Sequence, residues 1–297
     1  MTEQAEIYQD QVLSFTLPHR NVRGRIVRID HVVNEILSAH DYPEPIRALL
    51  AEALVLASLT GALLKDEASQ LTIQAQSEEG IVQLLVCDFL DGELRGYVQF
   101  DDERLIDAGS TPSLMSLFGG GYLAVTFDLS VTGQRYQGIV PLEGNSLTGA
   151  FEHYFVQSEQ VPTLLRVATE FDSGHAVAGG LIIQHLPEGE ESRERLHVRM
   201  DHPEWEHAAI VADTIRPDEI TNAQLSLDAL LWRLFHEEPE IRVTPGAMLS
   251  RGCRCSLQHF ENVLSRFPSE ERAEMRNEDG IIMVDCAFCS KLFPIQD

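Results

Sequence analysis

The chain has 297 residues, of which 44% are hydrophobic, enough to bury a core in one large domain or two modest ones. Its 47 acidic residues outnumber 22 basic ones and give a formal net charge of −25. The electric field of this negative charge repels phosphate backbones and anionic membranes, which argues against a protein that binds nucleic acids or membrane surfaces. The first residues, Met1 to Glu6, show no basic segment followed by an apolar one, so we expect a protein of the reducing cytoplasm.

The N-terminal segments predict a strand and two helices. Alternating apolar and polar residues from Val12 to Val33 predict an opening strand, with a helix near His31 to Ser38. The most apolar segment, Ile46 to Leu64, places Leu and Ala on several helix faces and predicts a buried central helix. A membrane span is disfavoured because the segment contains Glu52 and falls short of about 20 uninterrupted apolar residues.

Short runs with strand character come next, separated by turn signals such as Asp91-Gly92, and they predict antiparallel hairpins. Ser146 is expected to cap a helix with an apolar face between Leu147 and Phe155. The predicted strands are Leu71 to Gln76, Ile81 to Asp88, Leu94 to Phe100, Tyr122 to Leu129, Gln134 to Val140, Leu164 to Phe171 and Ala176 to Leu186.

Several weak signals for other sites are better explained structurally. Gly119 to Gly121 lacks the G-K-[ST] of a phosphate loop and is expected to be a plain loop. Asp172-Ser173-Gly174 occurs once and fits a turn, while His202 and His207 stand among carboxylates as a solvated pair. Cys87 is expected to be a small buried hydrophobe. No Ser-His-Asp or G-x-S-x-G constellation stands out, so we do not expect an enzyme.

The composition suggests three parts within an α+β fold. Residues 1–186 would form an N-terminal body of antiparallel strands with packed helices. Residues 187–221 are rich in Glu, Arg and Asp and would form a charged, metastable helical linker. Residues 222–297 would form a small C-terminal zinc-binding domain, in which an amphipathic stripe from Leu227 to Phe235 leads into the cysteine motifs.

Four of the five cysteines form two tight pairs near the C-terminus, a C-x-C pair and a C-x-x-C pair. The chain between the pairs is long enough to fold back as a helix and a hairpin and to bring them together. Four thiolates in tetrahedral geometry are what a structural zinc site needs. The spacing therefore predicts a zinc site made by Cys253, Cys255, Cys286 and Cys289.

Two other interpretations of these cysteines are weaker. Paired disulfides would suit a secreted protein, but no secretory signal is expected. A thioredoxin-like redox pair would lie in a βαβ unit, whereas Cys289 is close to the last residue, Asp297. Zinc is therefore the favoured interpretation.

Four sulfur ligands would close the coordination shell, so the metal is expected to be structural and not catalytic. Zinc holds the sulfurs as thiolates, the form that oxidants attack, and an oxidised sulfur no longer ligates the metal. Reversible oxidation could thus be coupled to unfolding of the module. A permanent zinc staple without a regulatory role remains the alternative on spacing alone.

Four further segments, together with the cysteine motifs, carry a family resemblance. The segments are Leu63 to Glu67, Tyr136 to Val140, Tyr154 to Gln160 and Gly179 to Gln184, and the second cysteine motif is followed by Lys291-Leu292-Phe293. With these residues the chain closely resembles, over nearly its whole length, the redox-regulated heat-shock holdases known as the 33 kDa chaperonin family.

The resemblance implies an ATP-independent cytoplasmic chaperone that prevents aggregation of unfolding proteins during oxidative and heat stress. Its reduced form would hold one zinc ion per chain on the four cysteines and be largely inactive. Oxidation would form the disulfides Cys253–Cys255 and Cys286–Cys289, release zinc and unfold the module and linker. The active form would be a homodimer that passes its clients to ATP-dependent refolding chaperones.

Two other functions compete with this hypothesis. A constitutive zinc-stapled adaptor would use the same cysteines without redox switching. A zinc hydrolase would need an open coordination position and a base, and the sequence offers neither convincingly. The helix Ile46 to Leu64 and the stripe Leu227 to Phe235 are candidate client surfaces, although both are first explained as core.

Overall fold

The computed structural model describes residues 9–64, 66, 68–186 and 202–296. Within them the chain is a mixture of helices and mostly antiparallel strands, which confirms the predicted α+β class. Up to His185 the elements follow in this order: β1 (Gln11–Leu17), β2 (Val22–Ile29), α1 (His31–Leu37), α2 (Glu44–Gly61), β3 (Gln70–Gln76), β4 (Val82–Leu90), β5 (Glu93–Phe100), α3 (Asp102–Ala108), α4 (Leu114–Phe118), β6 (Tyr122–Leu129), β7 (Gln134–Pro141), α5 (Leu147–Tyr154), β8 (Thr163–Asp172) and β9 (His175–His185).

The chain after His202 contains further helices and short strands. They are α6 (Pro203–Asp213), α7 (Pro217–Thr221), α8 (Leu227–Phe235), β10 (Arg242–Met248), β11 (Ser250–Arg251), α9 (Leu257–Leu264), α10 (Ser269–Glu274), β12 (Ile281–Asp285) and β13 (Leu292–Gln296).

The strands form two large sheets and a small hairpin. Sheet A has the order β10-β1-β2-β9-β8, and sheet B has the order β11-β5-β4-β3-β6-β7. In the described chain β12 and β13 form a two-stranded hairpin outside both large sheets, with one further bridge from Arg276 to Ile282. All pairings are antiparallel except that of β11 with β5, so the predicted hairpins between Leu71 and Val140 are confirmed.

The opening segment differs from its prediction. Instead of one strand, Val12 to Ile29 forms the antiparallel pair β1–β2, joined by a short 3₁₀ turn at Pro18–Arg20. Asn21 closes that turn in the left-handed conformation, with φ of 50°, which Asn tolerates better than most residues. A proline and an asparagine therefore reverse the chain where the apolar alternation alone suggested continuation.

Helix α2 is the buried centre that the sequence predicted. It contacts β2, β9 and β8 of sheet A and β3, β4 and β5 of sheet B. Leu50, Leu54 and Leu56 are fully buried in this core. The segment Ile46 to Leu64 is thus explained by packing between the two sheets.

A second apolar cluster covers the outer face of sheet A. Helices α6, α7 and α8 place Trp205, Ile220 and Leu230 against Phe15 and Ile26 of the sheet. The stripe Leu227 to Phe235 is likewise buried here. The residues of the expected linker that the structure describes, 202–221, thus bury apolar side chains on the body, whereas 187–201 lie outside the described residues.

The residues that follow α8 also join the body. Strand β10 pairs with β1, and β11 pairs with β5, so residues 242–251 extend both sheets. The described chain leaves the sheets after Arg251 and enters the cysteine-bearing segment 253–296. The three-part division at residues 186 and 221 stays a prediction.

Candidate metal centre

The four cysteines of the two motifs converge in the segment after Arg251. Cys253 and Cys255 lie in the loop between β11 and α9, and Cys286 and Cys289 lie in the turn of the β12–β13 hairpin. All four Sγ atoms lie within 4.8 Å of one another. The fold therefore brings the two sequence pairs together as one cluster.

Local hydrogen bonds shape the turn that carries the second pair. The N–H of Cys286 donates to the carbonyl of Lys291 at 3.0 Å, and the N–H of Ser290 donates to the carbonyl of Cys286 at 2.8 Å. Ser290 adopts a left-handed backbone with φ of 56°. This tight turn returns the strand while both cysteine side chains reach the same cluster.

The loop that carries the first pair is fixed at both ends. The N–H of Gly252 donates to the carbonyl of Leu94 at 2.9 Å, which ties the loop to β5. At the other end Ser256 caps α9, its Oγ accepting from the N–H of His259 at 3.2 Å. Cys253 and Cys255 are held between these two anchors.

The sulfur separations fit a tetrahedral metal shell. Sγ of Cys253 lies 3.3 Å from that of Cys255 and 3.6 Å from that of Cys286, and Cys255 lies 3.6 Å from Cys289. Zn–S bonds of about 2.3 Å place tetrahedral sulfurs about 3.8 Å apart, whereas a disulfide needs about 2.05 Å. All five cysteines are free thiols. The donor set is therefore consistent with a closed four-sulfur zinc site.

The electrostatics of the cluster differ between the thiols. Burial raises the pKa of Cys286, and burial together with the neighbouring sulfurs raises the pKa of Cys255. Burial also opposes ionisation of Cys253, but hydrogen bonds from the Cys255 N–H and from nearby thiols outweigh it and lower its pKa. Four thiolates this close together repel one another, so a bound cation is what would favour the fully ionised set.

An arginine inside the first motif fastens the cluster to sheet B. Arg254 donates to Oε1 of Gln70 and to Oδ2 of Asp88, each at 3.0 Å. The Asp88 side chain is only 4% exposed and also accepts from Nε of Arg95 at 2.8 Å and from Thr72 at 2.8 Å. The buried carboxylate thus joins the cysteine loop to strands β3, β4 and β5.

An aromatic residue inside the second motif makes a matching contact. Phe288 lies under the guanidinium of Arg95 at 4.0 Å and meets the ring of Tyr97 edge-on, with centroids 4.9 Å apart. Ser290 Oγ lies 3.1 Å from Nδ1 of His40. Sequence reasoning missed these contacts, since Arg254 and Phe288 are marked only by being large side chains between predicted ligands.

The remaining sequence candidates behave as expected. Cys87 is fully buried in the core between α2 and sheet B. Ser173 and Gly174 turn between β8 and β9, and Gly119 to Gly121 lie between α4 and β6. His202 caps α6 with its ring centroid 4.9 Å from that of His185, and the exposed His207 lies 3.4 Å from Glu238.

Comparison with known proteins places this geometry in a family. The model of the Hsp33 protein family matches residues 10–296. The chain belongs to the Hsp33 family. Among its relatives, the 33 kDa chaperonin of Caulobacter vibrioides is 38% identical, covering 97% of this chain and 95% of its own. That of an Escherichia coli strain is 32% identical, covering 94% of this chain and 90% of its own.

A solved Hsp33 structure has the same fold. The 33 kDa chaperonin of Thermotoga maritima superposes with a TM-score of 0.78 at 22% identity, covering 97% of this chain and 95% of that one. Members of the Hsp33 family are chaperones, so this chain is a chaperone and its partners are unfolded proteins. None of the helices in the described chain is long and apolar enough to cross a membrane.

Proposed function

We propose that this chain is a redox-regulated, ATP-independent holdase that is inactive while its cysteines are reduced and hold zinc. The observation that carries the proposal is the cluster of four free thiols, docked on sheet B by Arg254 and Phe288. Oxidation of the sulfurs would therefore alter the module itself and also its contacts with the N-terminal body.

Cys253, Cys255, Cys286 and Cys289 would hold the metal. Zinc, when bound, offsets half of the charge of the four thiolates and supplies folding free energy to the small module around them. Oxidation by peroxide would join Cys253 to Cys255 and Cys286 to Cys289, the pairs that the family resemblance implies. Formation of each disulfide takes two electrons from a pair of thiolates, and these electrons with two protons reduce one hydrogen peroxide to two waters. Disulfide sulfurs are poor ligands, so zinc is released.

The module around the cysteines would depend on its metal for stability, because its apolar core is small. Its apolar contacts centre on Ile282, Phe293 and Ile295, with Phe260 of α9 packed 5.0 Å from Phe293. A two-stranded hairpin with so few buried side chains is marginal in water on its own. Without its metal the segment 253–296 would therefore unfold.

The apolar surface exposed on activation would be the outer face of sheet A. Helices α6 to α8 cover Leu13, Phe15 and Ile183 there. Arg28, fully buried on the same face, donates to the carbonyls of Ile220 at 2.7 Å, Leu225 at 2.7 Å and Glu219 at 3.1 Å. Release of this cover would present a contiguous apolar sheet face to clients.

The remaining features of the proposed cycle come from the family resemblance. The active form would be a homodimer working in the cytoplasm. It would hold unfolding proteins without ATP and release them to ATP-dependent refolding chaperones. The absence of a nucleotide requirement fits a mechanism in which surface exposure is driven by cysteine chemistry.

The proposal is tested by following zinc and chaperone activity together. The reduced protein should bind one zinc per chain and leave the light scattering of a heat-denatured client unchanged. Peroxide with mild heat should release the zinc and suppress the scattering. Unchanged scattering after full thiol oxidation would overturn the proposal.

A constitutive zinc-stapled adaptor is the second candidate, and the firm docking of the module through Arg254, Phe288 and Ser290 favours it. In that case oxidation would be damage. Adding dithiothreitol and zinc to the oxidised chain separates the two functions. A switch regains its reduced fold and loses client suppression, whereas a damaged adaptor does not recover.

A further inference from the structure

Two adjoining cavities lie at the N-terminal end of α2. One has a volume of about 500 Å³ and the other about 290 Å³, and both are lined by Pro45 and Ser110. Together they form a groove between the start of α2 and the segment that contains α3 and α4. We call it the α2 groove.

The floor of the α2 groove is apolar. Leu49 of α2, Leu105 of α3 and Leu114 of α4 line it as buried side chains. At its rim Ile106 is 81% exposed, the largest exposed fraction among the large apolar residues in the described chain. An isoleucine left in water beside an apolar cavity gains free energy if a partner covers it.

The rim of the α2 groove is acidic. Asp41, Glu44 and Asp102 line it as exposed residues, and Glu52 lies deeper in the second cavity. Among the residues that the structure describes, no Lys, Arg or His lines either cavity. The groove therefore has a negative potential that attracts cationic side chains and repels acidic ones.

We infer that the α2 groove binds an extended segment of an unfolded client in which apolar side chains alternate with Lys or Arg. This inference rests on the proposed function and identifies a client surface separate from the covered face of sheet A. Apolar side chains of the client would enter the cavities and cover Ile106, while its cations would meet Asp41, Glu44 and Asp102.

The α2 groove is also connected by side-chain contacts to the C-x-x-C turn of the cysteine module. Tyr42 lines its first cavity and stacks on His40 with ring centroids 4.7 Å apart. His40 in turn contacts Ser290 of the C-x-x-C turn. One wall of the groove is thus continuous with the docking contact of the cysteine module.

The test measures binding of two dye-labelled peptides to the oxidised full-length chain by fluorescence anisotropy. The peptides have equal length and equal Leu content in a Gly and Ser background, and one carries Lys where the other carries Glu. The Lys peptide should bind more tightly. Equal affinity for the two peptides would overturn the inference.

Two variants locate the binding. Ile106→Ser should weaken binding of the Lys peptide roughly tenfold, the loss expected when one isoleucine contact is removed without a change of charge. Val131→Ser is its control, because Val131 is 74% exposed in the turn between β6 and β7, away from the groove. Equal effects of the two variants would contradict a site at the α2 groove.

Charge is tested by the double variant Asp41→Asn with Asp102→Asn, which should reduce the preference for the Lys peptide. The control, Glu206→Gln with Glu237→Gln, removes the same charge outside the groove and should preserve that preference. If the oxidised wild type fails to suppress client aggregation, the proposed function fails. If it suppresses aggregation but Ile106→Ser changes no affinity, only the α2 groove is excluded.

Discussion

At the scale of single residues, the sulfur cluster depends on each of its four members. Cys253→Ser leaves three sulfurs and an open coordination position, so zinc affinity should fall more than about tenfold. The measurement is zinc content after dialysis of the reduced protein against a competing chelator. Cys87→Ala is the control and should retain one zinc per chain, because Cys87 is fully buried in the core and is not one of the four clustered sulfurs.

Arg28 is the residue that holds the cover of sheet A by hydrogen bonds. Burial lowers its pKa to about 10, so it stays charged at neutral pH and donates to three carbonyls around α7. Arg28→Met should weaken the docking of α7 and of the segment between α7 and α8 by about 3 kcal/mol, since carbonyls left without a donor are costly. The reduced variant should therefore suppress client aggregation in part, which light scattering would detect.

The control for Arg28→Met is Arg25→Met on the same strand. Arg25 points to the other face of β2, where it donates to the carbonyl of Ala62 at 3.2 Å. It should cost stability without exposing the covered face. Equal chaperone activity of the two reduced variants would contradict a specific role for Arg28.

The sequence predicted the four cysteines but not the residues that dock them. Cysteine spacing is read directly from the chain, because ligands of one metal must converge. The contact of Arg254 with Asp88 joins residues far apart in sequence, and no periodicity marks it. In the sequence, Asp88 is one of 47 acidic residues and stands at the end of a predicted strand. Only the fold shows that its carboxylate is buried between two arginines.

At the scale of elements, the sequence predicted those with a clear period. Helix α2 and the strands β3 to β9 lie close to their expected bounds, because apolar residues recur there at helical or strand spacing. Helices α3 and α4 were missed, since seven and five residues are too short to show a helical period. The apolar faces of α6 and α7 were also missed, because Trp205 and Ile220 are widely spaced among charged residues.

Helices α2 and α5 meet at a buried carboxylate that should make stability depend on pH. Burial raises the pKa of Glu52, although hydrogen bonds from the N–H and Oγ1 of Thr148, at 2.8 and 2.6 Å, oppose the shift. The folded state thus holds this proton more tightly than the unfolded state. Its stabilisation is full below the ordinary glutamate pKa of about 4.3 and is lost as the pH rises through the raised value.

Glu52→Gln removes that loss and keeps an acceptor for Thr148. The free energy of unfolding of the variant relative to wild type should therefore become more favourable as the pH rises across this window. Urea denaturation at several pH values measures the difference, and Glu44→Gln on the same helix controls for loss of a carboxylate. A difference between Glu52→Gln and wild type that is constant with pH would contradict the argument.

At the scale of the whole molecule, the described chain has two parts that are stabilised in different ways. The described residues up to Arg251 form two sheets around the core of α2, with a second apolar cluster on the outer face of sheet A, and β10 and β11 are hydrogen-bonded to the sheets. The segment 253–296 has a hairpin, two short helices and the sulfur cluster. The pairing of β10 with β1 could not be predicted from local patterns, because more than two hundred residues of chain separate the two strands.

Removal of the metal from the reduced protein should therefore unfold the segment 253–296 and leave the two sheets folded. A chelator should abolish hydrogen-exchange protection in β12 and β13, because the hairpin core of Ile282, Phe293 and Ile295 cannot hold them alone. Protection in β3 and β4 should persist, since their core does not include the module. Excess zinc should restore the lost protection. Exchange in β12 and β13 that is equally slow with and without metal would show that the module folds independently of the sulfur cluster, and the proposed switch would lose its physical basis.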